Sequence, residues 1–409
     1  MILKNPQYQW IFTGTVLAIL FGHYIVDTYS SLVAPLIGVV QNEFEIRAGT
    51  AAILLGVGSI CSGLAQPLFA WVSDQTGSRL FGPIGVFLAA ICICSIGFVD
   101  RTWMLFLVFC LGMIGVGMFH PIATARIGSI AGDQRGFALS LFFVFGMGGF
   151  FTGSLVGPYL TTSSGTLKSL AWLIVPGLVI GCALQLLINR TEIGPTQQSE
   201  KRSGSLSDYD WKSVLLLYVS AVLRFLVNMG VIYLVVRWVE QHIAAEQTGL
   251  SAKEVSSLAA PIVGYSHAAI YVGQGIGGLL AGALIDIGRE KMPLILTPIL
   301  FAPAVFMLAF LEPGWLGCVA CCLGGVGFAA MTPITISVGQ QLMPGHTRLA
   351  SGIMLGGAWT IAAFGPRLGE YIIDQFGLAT AFAVMGFLLI GAGLASVGIT
   401  PVRNGQMKV

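Results

Sequence analysis

Twelve mainly apolar stretches, each closed by a few polar residues, follow one another along these 409 residues. They lie near 10–40, 49–72, 81–99, 103–126, 136–160, 168–189, 212–238, 256–285, 293–311, 315–341, 349–373 and 378–400. A helix crossing the hydrocarbon core needs about 20 mostly apolar residues. A backbone in lipid must also satisfy its own hydrogen bonds. A chain built this way is expected to fold as a helical bundle in a bilayer. Charge agrees, because only 9% of the residues are charged against about 25% in a soluble domain. That is too little to cover a water-facing surface. The 54 glycines fit closely packed membrane helices. The first, eighth and tenth stretches exceed the minimum length and are expected to tilt or run past the lipid. Residues 1–9 hold Lys4 and no small-residue cleavage pattern, so the first stretch reads as a retained span.

A hydrophilic segment, Arg190 to Asp210, splits the series into six spans and six. The expected organisation is an N-terminal six-helix bundle over 1–189, a flexible cytoplasmic linker over 190–211 and a C-terminal six-helix bundle over 212–409. Basic residues set the orientation. With the N-terminus in the cytoplasm, that side holds Lys4, Arg79, Arg126, Arg135, Arg190, Lys201, Arg202, Lys212, Arg289, Lys291, Arg348, Arg403 and Lys408. The opposite side holds Arg47, Arg101, Lys168, Arg237 and Lys253, while Arg224 and Arg367 fall within spans. The bias places both termini inside, which an even number of spans requires. The expected location is the cell's inner membrane, as a multi-pass protein.

Other classes find little support. The formal net charge is +2 with no basic run, so nucleic acid is not an expected partner. The eight cysteines (61, 92, 94, 110, 182, 318, 321 and 322) lie in apolar stretches and read as small packing residues. Cys318 and Cys321 have a CxxC spacing but no second Cys or His pair, and His23 with Asp27, which in principle suit a metal, have no evident third ligand, so no metal site is expected. The sequence lacks a Gly-x-x-x-x-Gly-Lys phosphate loop, HExxH and Gly-x-Ser-x-Gly. No cofactor is expected, and an intramembrane enzyme is only a remote alternative. A receptor would need a sizeable signalling domain outside the membrane.

The two halves resemble one another. Span four reads Gly115-Val-Gly117-Met-Phe-His120-Pro121, and span ten reads Gly325-Val-Gly327-Phe-Ala-Ala-Met-Thr332-Pro333. Arg135 precedes span five as Arg348 precedes span eleven, and Gly157-Pro158 is matched by Gly365-Pro366. Such a repeat is the trace of two bundles that rock about a central site. The turn after span two carries Ala70, Asp74, Gly77 and Arg79; the turn after span eight carries Gly282, Asp286, Gly288 and Arg289. Both resemble the loop signature of the major facilitator superfamily, with Ala70 for Gly and Gln75 for a basic residue in the first copy. Asp74, Gly77, Arg79, Asp286 and Arg289 are then expected gating-loop residues, because a helix-end acid pairs with a base or a helix terminus in one state only. Gly149, Gly153 and Gly157 in span five, followed by Pro158, resemble a motif that the superfamily associates with antiporters; the same spacing also serves plain helix packing.

Ionisable residues inside spans are costly and are functional candidates by default. Here they are His23, Asp27, His120, Arg224, His267, Arg367 and Glu370. His23 and Asp27 share a face of span one at i, i+4; they read either as a proton-carrying pair or as a static packing pair. Arg224, mid-span in seven, keeps its charge and must face an anion, a carboxylate such as Asp27, or water. Spans one and seven both line the cavity in the superfamily, so one reading pairs Arg224 with Asp27 when empty and with an anionic substrate when loaded; the other is a permanent structural ion pair. Tyr265, His267, Tyr271 and Gln274 form a polar stripe on span eight suited to substrate hydrogen bonds, although a packed His267 bonded to a backbone carbonyl is the other reading. Arg367 and Glu370 read as a local pair near the interface, with substrate steering by Arg367 as the alternative. Pro121 kinks span four and frees a carbonyl, which His120 can help satisfy.

A narrower resemblance rests on spans one, four and five. His23-x-x-x-Asp27 followed by Ser30 and Ser31, Phe119-His120-Pro121, and Arg135-Gly136-Phe-Ala138-Leu-Ser140-Leu-Phe142 leading to Gly146 and Gly157-Pro158 resemble the fosmidomycin-resistance branch. Its members export small phosphonate-type drugs from the inner membrane and are thought to exchange them for protons. The resemblance implies that His23 and Asp27 are coupling residues and that His120 belongs to the transport path. It departs at Ile122, where the branch often has an acid after His-Pro. The expected protein is therefore an all-α, twelve-helix secondary active transporter in two pseudo-symmetric bundles, working as a monomer by alternating access. It would exchange protons for a small anionic or amphipathic solute; the alternative is a proton symporter importing an organic anion such as a monocarboxylate.

Overall fold

The computed structural model describes residues 10–76, 80–131, 135–188, 209–286, 290–328, 332–344 and 346–400. Among these, ten helices are long and apolar enough to cross a membrane, and two shorter apolar helices bring the set to twelve. The first half contains α1 (Gly14–Glu43), α2 (Ala48–Thr76), α3 (Phe81–Cys94), α4 (Thr102–Ala131), α5 (Arg135–Ser164) and α6 (Leu167–Leu187). The second contains α7 (Trp211–Glu246), α8 (Ala252–Asp286), α9 (Lys291–Met307), α10 (Trp315–Phe328 and Thr332–Leu342), α11 (Leu349–Phe376) and α12 (Leu378–Val397). At 1.5 Å per residue, α3 is only about 21 Å long, and a 3₁₀ turn over Ile96–Phe98 extends it.

The sorting of side chains is that of a protein dissolved in lipid. Large apolar residues such as Phe310 (86% exposed), Trp172 and Trp315 stand on the outside. Asp27, Arg224, Asn228, Gln274 and Glu370 are buried among the helices. Small residues allow the helices to close. The Gly149/Gly153 spacing of α5 sits on α1, where a Cβ would collide with the Tyr24 and Thr28 carbonyls. The stripe therefore packs α5 tightly along α1.

Among the described residues the halves meet where α5 and the far end of α1 pack on α8, and where α2 packs on α11. At the end opposite the chain termini these seams are tied by polar contacts. Asn42 of α1 donates to Ser256 Oγ (3.0 Å) and to the Ala252 carbonyl (3.1 Å) of α8. Tyr233 of α7 donates to Glu370 Oε2 (2.9 Å) on α11, and its hydroxyl lies 3.3 Å from the Ala48 carbonyl at the start of α2. Arg237 pairs with Glu240 at 2.9 Å and approaches Glu370 at 3.4 Å. The sequence places Arg237 in an outer turn. In the structure α7 runs on to Glu246, and the guanidinium joins this interhelical cluster. The start of α7 is capped by Asp210, which accepts from Ser213 N (3.2 Å) and Ser213 Oγ (2.7 Å). Most of the expected linker, residues 189–208, lies outside the described residues. So do Gly77, Arg79 and Arg289 of the expected gating loops, together with the side chains of Asp74 and Asp286 in the last turns of α2 and α8.

Candidate functional site

The polar centre of the first half is a carboxylate held between two imidazoles. On α1, His23 and Asp27 are four residues apart, and His23 Nε2 lies 3.0 Å from Asp27 Oδ2. From α4, His120 Nε2 approaches the other oxygen, Oδ1, at 3.2 Å. This second contact has ion-pair distance without hydrogen-bond alignment. Asp27 is 2% and His23 5% exposed, whereas His120 is only partly covered.

Each ring is fixed from behind. His23 Nδ1 donates to the Phe142 carbonyl of α5 at 2.7 Å, and the ring stacks on Phe142 with centroids 3.6 Å apart. His120 Nδ1 donates to the Val116 carbonyl at 2.8 Å. Val116 is next to Gly117, whose carbonyl has no N–H partner at Pro121. A carbonyl only accepts, so both Nδ1 atoms carry their protons and both Nε2 atoms face the carboxylate. Gly146 of α5 closes the site: a Cβ there would lie 2.6 Å from Asp27 Oδ2 and 2.7 Å from His23 Nε2. Tyr271 of α8 is within electrostatic reach of Asp27 and packs on Phe150 of α5 with centroids 4.9 Å apart. The triad therefore lies beside the α5–α8 seam.

The second half holds a buried cation. Arg224, 2% exposed, donates from Nε to the Ser220 carbonyl (3.2 Å) and from Nη2 to Thr335 Oγ1 of α10 (2.9 Å). Its Nη1 is buried with no hydrogen-bond partner, and no carboxylate pairs with it among the described residues. Pairing with Asp27 is therefore not what the structure contains, since that carboxylate is taken by His23 and His120. One turn further along α7, Asn228 accepts from Gln274 of α8 (2.9 Å).

The expected stripe on α8 divides. At about 100° per residue, 267, 271 and 274 share a face, while 265 points some 200° from 267. Tyr265 is accordingly 63% exposed and away from the site. His267 is buried and donates from Nε2 to the Ile232 carbonyl (2.8 Å), which fits its packing reading. The expected Arg367–Glu370 pair does not form. Glu370 is buried and engaged by Tyr233 and Arg237, whereas Arg367 is exposed; both border a cleft with Arg47 and Asp374 but do not pair. Sequence reasoning missed Thr335 and Asn228, although Asn228 lies four residues from Arg224 and shares its helix face.

With this geometry in place, the comparisons decide the family. A model of the Major Facilitator Superfamily matches residues 16–266 and again 257–408. The chain belongs to the Major Facilitator Superfamily. It is similar to the fosmidomycin resistance protein of Escherichia coli (strain K12), with 21% identity over 376 residues, 92% of this chain and 90% of that one. It is also similar to the uncharacterized MFS-type transporter YfnC of Bacillus subtilis (strain 168), 20% identical over 387 residues that cover 90% of this chain and 88% of that one. Among solved structures, a D-xylose–proton symporter superposes with a TM-score of 0.72 at 14% identity, covering 97% of this chain and 99% of that one. A bacterial homologue of the human lysosomal transporter Spinster, inward-facing and unoccupied, gives 0.68 at 16% identity over 96% and 95%. These structural likenesses show the fold. The chain is thus a multi-pass membrane transporter, a secondary carrier of small solutes and not an enzyme.

Proposed function

We propose that this carrier exports a small anionic or amphipathic solute in exchange for protons, which bind at His23, Asp27 and His120. The observation that carries the reading is the carboxylate between two imidazoles whose Nδ1 atoms are already committed. The His23 contact is favourable only when a proton lies in it, and the His120 contact only when its ring is protonated and pairs with the carboxylate as an ion. With none, two neutral imidazoles and one carboxylate sum to −1; one added proton gives 0 and a second gives +1. Losing a proton sets nitrogen and oxygen lone pairs against each other in a buried site, where an unpaired polar group is expensive. The α1–α4–α5 junction then favours a different arrangement, and the rocking of the 1–189 and 212–409 bundles supplies one. The inner membrane, with both termini in the cytoplasm, is the expected setting, and a single chain the working unit.

Arg224 is the proposed attachment point for the anion. A buried guanidinium without an acid is costly, and a solute carboxylate or phosphonate offsets that cost while it is bound. Thr335 accepts from Arg224, and one turn along α7 Asn228 accepts from Gln274, so neutral hydrogen-bonding groups accompany the cation. The export direction follows the name of the Escherichia coli relative; import of an organic anion with protons is the competing direction.

The test uses proteoliposomes with an internal pH dye, the wild type and Asp27→Asn, and small phosphonates, carboxylates and amphipathic drugs as probes. The wild type is expected to move protons with one of these solutes and Asp27→Asn to lose that movement. The sign of the pH change reports antiport or symport. Equal solute flux in both proteins without a pH change would show Asp27 to be structural.

A further inference from the structure

The same three side chains have a second chemical capacity. We infer that His23, Asp27 and His120 form a site for a divalent first-row transition ion of the Zn²⁺ type. This rests on ligand geometry and is independent of the coupling reading. One ligand atom from each residue can be chosen so that all three lie within 4.8 Å of one another. In a tetrahedral zinc site, metal–ligand bonds near 2.0–2.2 Å put neighbouring ligand atoms about 3.3 Å apart. His23 Nε2 lies 3.0 Å from Asp27 Oδ2 and His120 Nε2 lies 3.2 Å from Oδ1, each close to that edge on its own oxygen, so an ion between the rings would draw on both oxygens of the carboxylate.

The surroundings match as well as the ligands. A metal-bound histidine almost always donates its other ring N–H to a carbonyl or carboxylate, which fixes the tautomer and aims the ligating nitrogen. Both rings do so here, to the Phe142 and Val116 carbonyls. Stacking on Phe142 holds the His23 plane, and His120 stands edge-on to His23 with centroids 5.0 Å apart. Two nitrogens and a carboxylate suit zinc, cobalt and nickel; calcium and magnesium prefer oxygen donors alone. Charge also balances. A dication bound to two neutral imidazoles and one carboxylate leaves +1, the charge of the site with two protons. Partial exposure of His120 provides the approach and leaves a coordination position for water. Where the coupling reading also holds, the ion would occupy the proton positions and arrest the carrier.

The experiment uses the full-length chain purified without a histidine tag. Co²⁺ is added and its visible ligand-field bands are followed; Zn²⁺ is then titrated in competition with a chelating dye. One Co²⁺ per chain, displaced by Zn²⁺, is expected. Asp27→Asn and His120→Gln should each weaken binding about tenfold or more, as even loss of an outer-shell partner does. His242→Gln, which removes the partly exposed His242–Glu246 pair on α7 (3.4 Å), should leave binding unchanged. Gly146→Ala offers a second route, since it crowds Nε2 and Oδ2 while keeping every ligand. Thermal melting confirms that each variant is folded. Absence of Co²⁺ bands, or unchanged affinity in the folded triad variants, overturns the site. The coupling assay runs in chelator-treated buffer, so either reading can fail alone.

Discussion

His120 of α4 and Asp27 of α1 face each other across 3.2 Å, between Nε2 and Oδ1. The contact ties two helices of the first bundle at the point where α5 closes over them. His120 is partly exposed while Asp27 and His23 are buried, so protons are expected to reach Asp27 through His120. His120→Gln keeps a side chain of similar length but cannot accept a proton. The expected result is solute flux that falls and loses most of its pH dependence, while the His23–Asp27 pair persists. A pH profile of transport identical to the wild type would remove His120 from the path.

Gly146→Ala tests how tightly that junction is built. The added methyl would meet both Asp27 Oδ2 and His23 Nε2 well inside contact distance, and the stacked Phe142 leaves the His23 ring little room to retreat. Overpacking of this kind costs about 1–3 kcal/mol. A lowered melting temperature in detergent and a large loss of transport are expected together. A variant that transports normally would mean that the three side chains need not hold this arrangement.

Much of the fold was legible because lipid imposes it. The twelve apolar stretches need only the composition of each segment, and twelve apolar helices answer them among the described residues. The His23–Asp27 pair was legible too, since it follows from helical spacing within α1. The partners that complete it were not, because helix crossings decide them. His120 reaches Asp27 only through the packing of α4 on α1, and Phe142 lends its carbonyl only because glycines let α5 approach α1. The Arg367–Glu370 expectation failed for the same reason. A local i, i+3 pair competes with partners from other helices, and Tyr233 and Arg237 of α7 reach the buried carboxylate first.

The polar ties at the end opposite the termini should open during the cycle. Asn42 and Ser256 are 3.0 Å apart across the two bundles. Asn42→Cys with Ser256→Cys should therefore crosslink under mild oxidation and stop transport, with recovery on reduction. Each single variant serves as the control. Undiminished flux in the fully crosslinked protein would show that the bundles do not separate there.

Asp210 gives a pH-dependent stability term outside the membrane. Its carboxylate accepts from both the hydroxyl and the backbone N–H of Ser213, which lowers its pKa below the usual 3.8. A group stabilised in its charged form contributes fully above its unfolded pKa. That contribution is lost as pH falls through the lowered folded value. Asp210→Ala should cost about 1 kcal/mol near neutral pH, as loss of a helix N-cap does. The gap in melting temperature between variant and wild type should narrow as pH drops below about 4. A gap that stays constant down to such pH would mean that the carboxylate charge plays no part in the cap.

Arg224 sets stability against function in the second bundle. Its guanidinium is buried, one nitrogen lacks a partner, and no acid neutralises it among the described residues. The empty protein bears that cost and a bound anion relieves it. Arg224→Met keeps the length of the side chain and removes the charge, so the empty variant should melt at the same temperature as the wild type or higher. Adding a transported phosphonate or carboxylate should raise the melting temperature of the wild type by mass action, and should leave Arg224→Met unmoved. Transport of the anion should fall with it, while proton uptake at Asp27 in the absence of solute remains. If the anion stabilises both proteins equally, the solute binds elsewhere, and Arg224 serves only to hold α7 against Thr335 of α10.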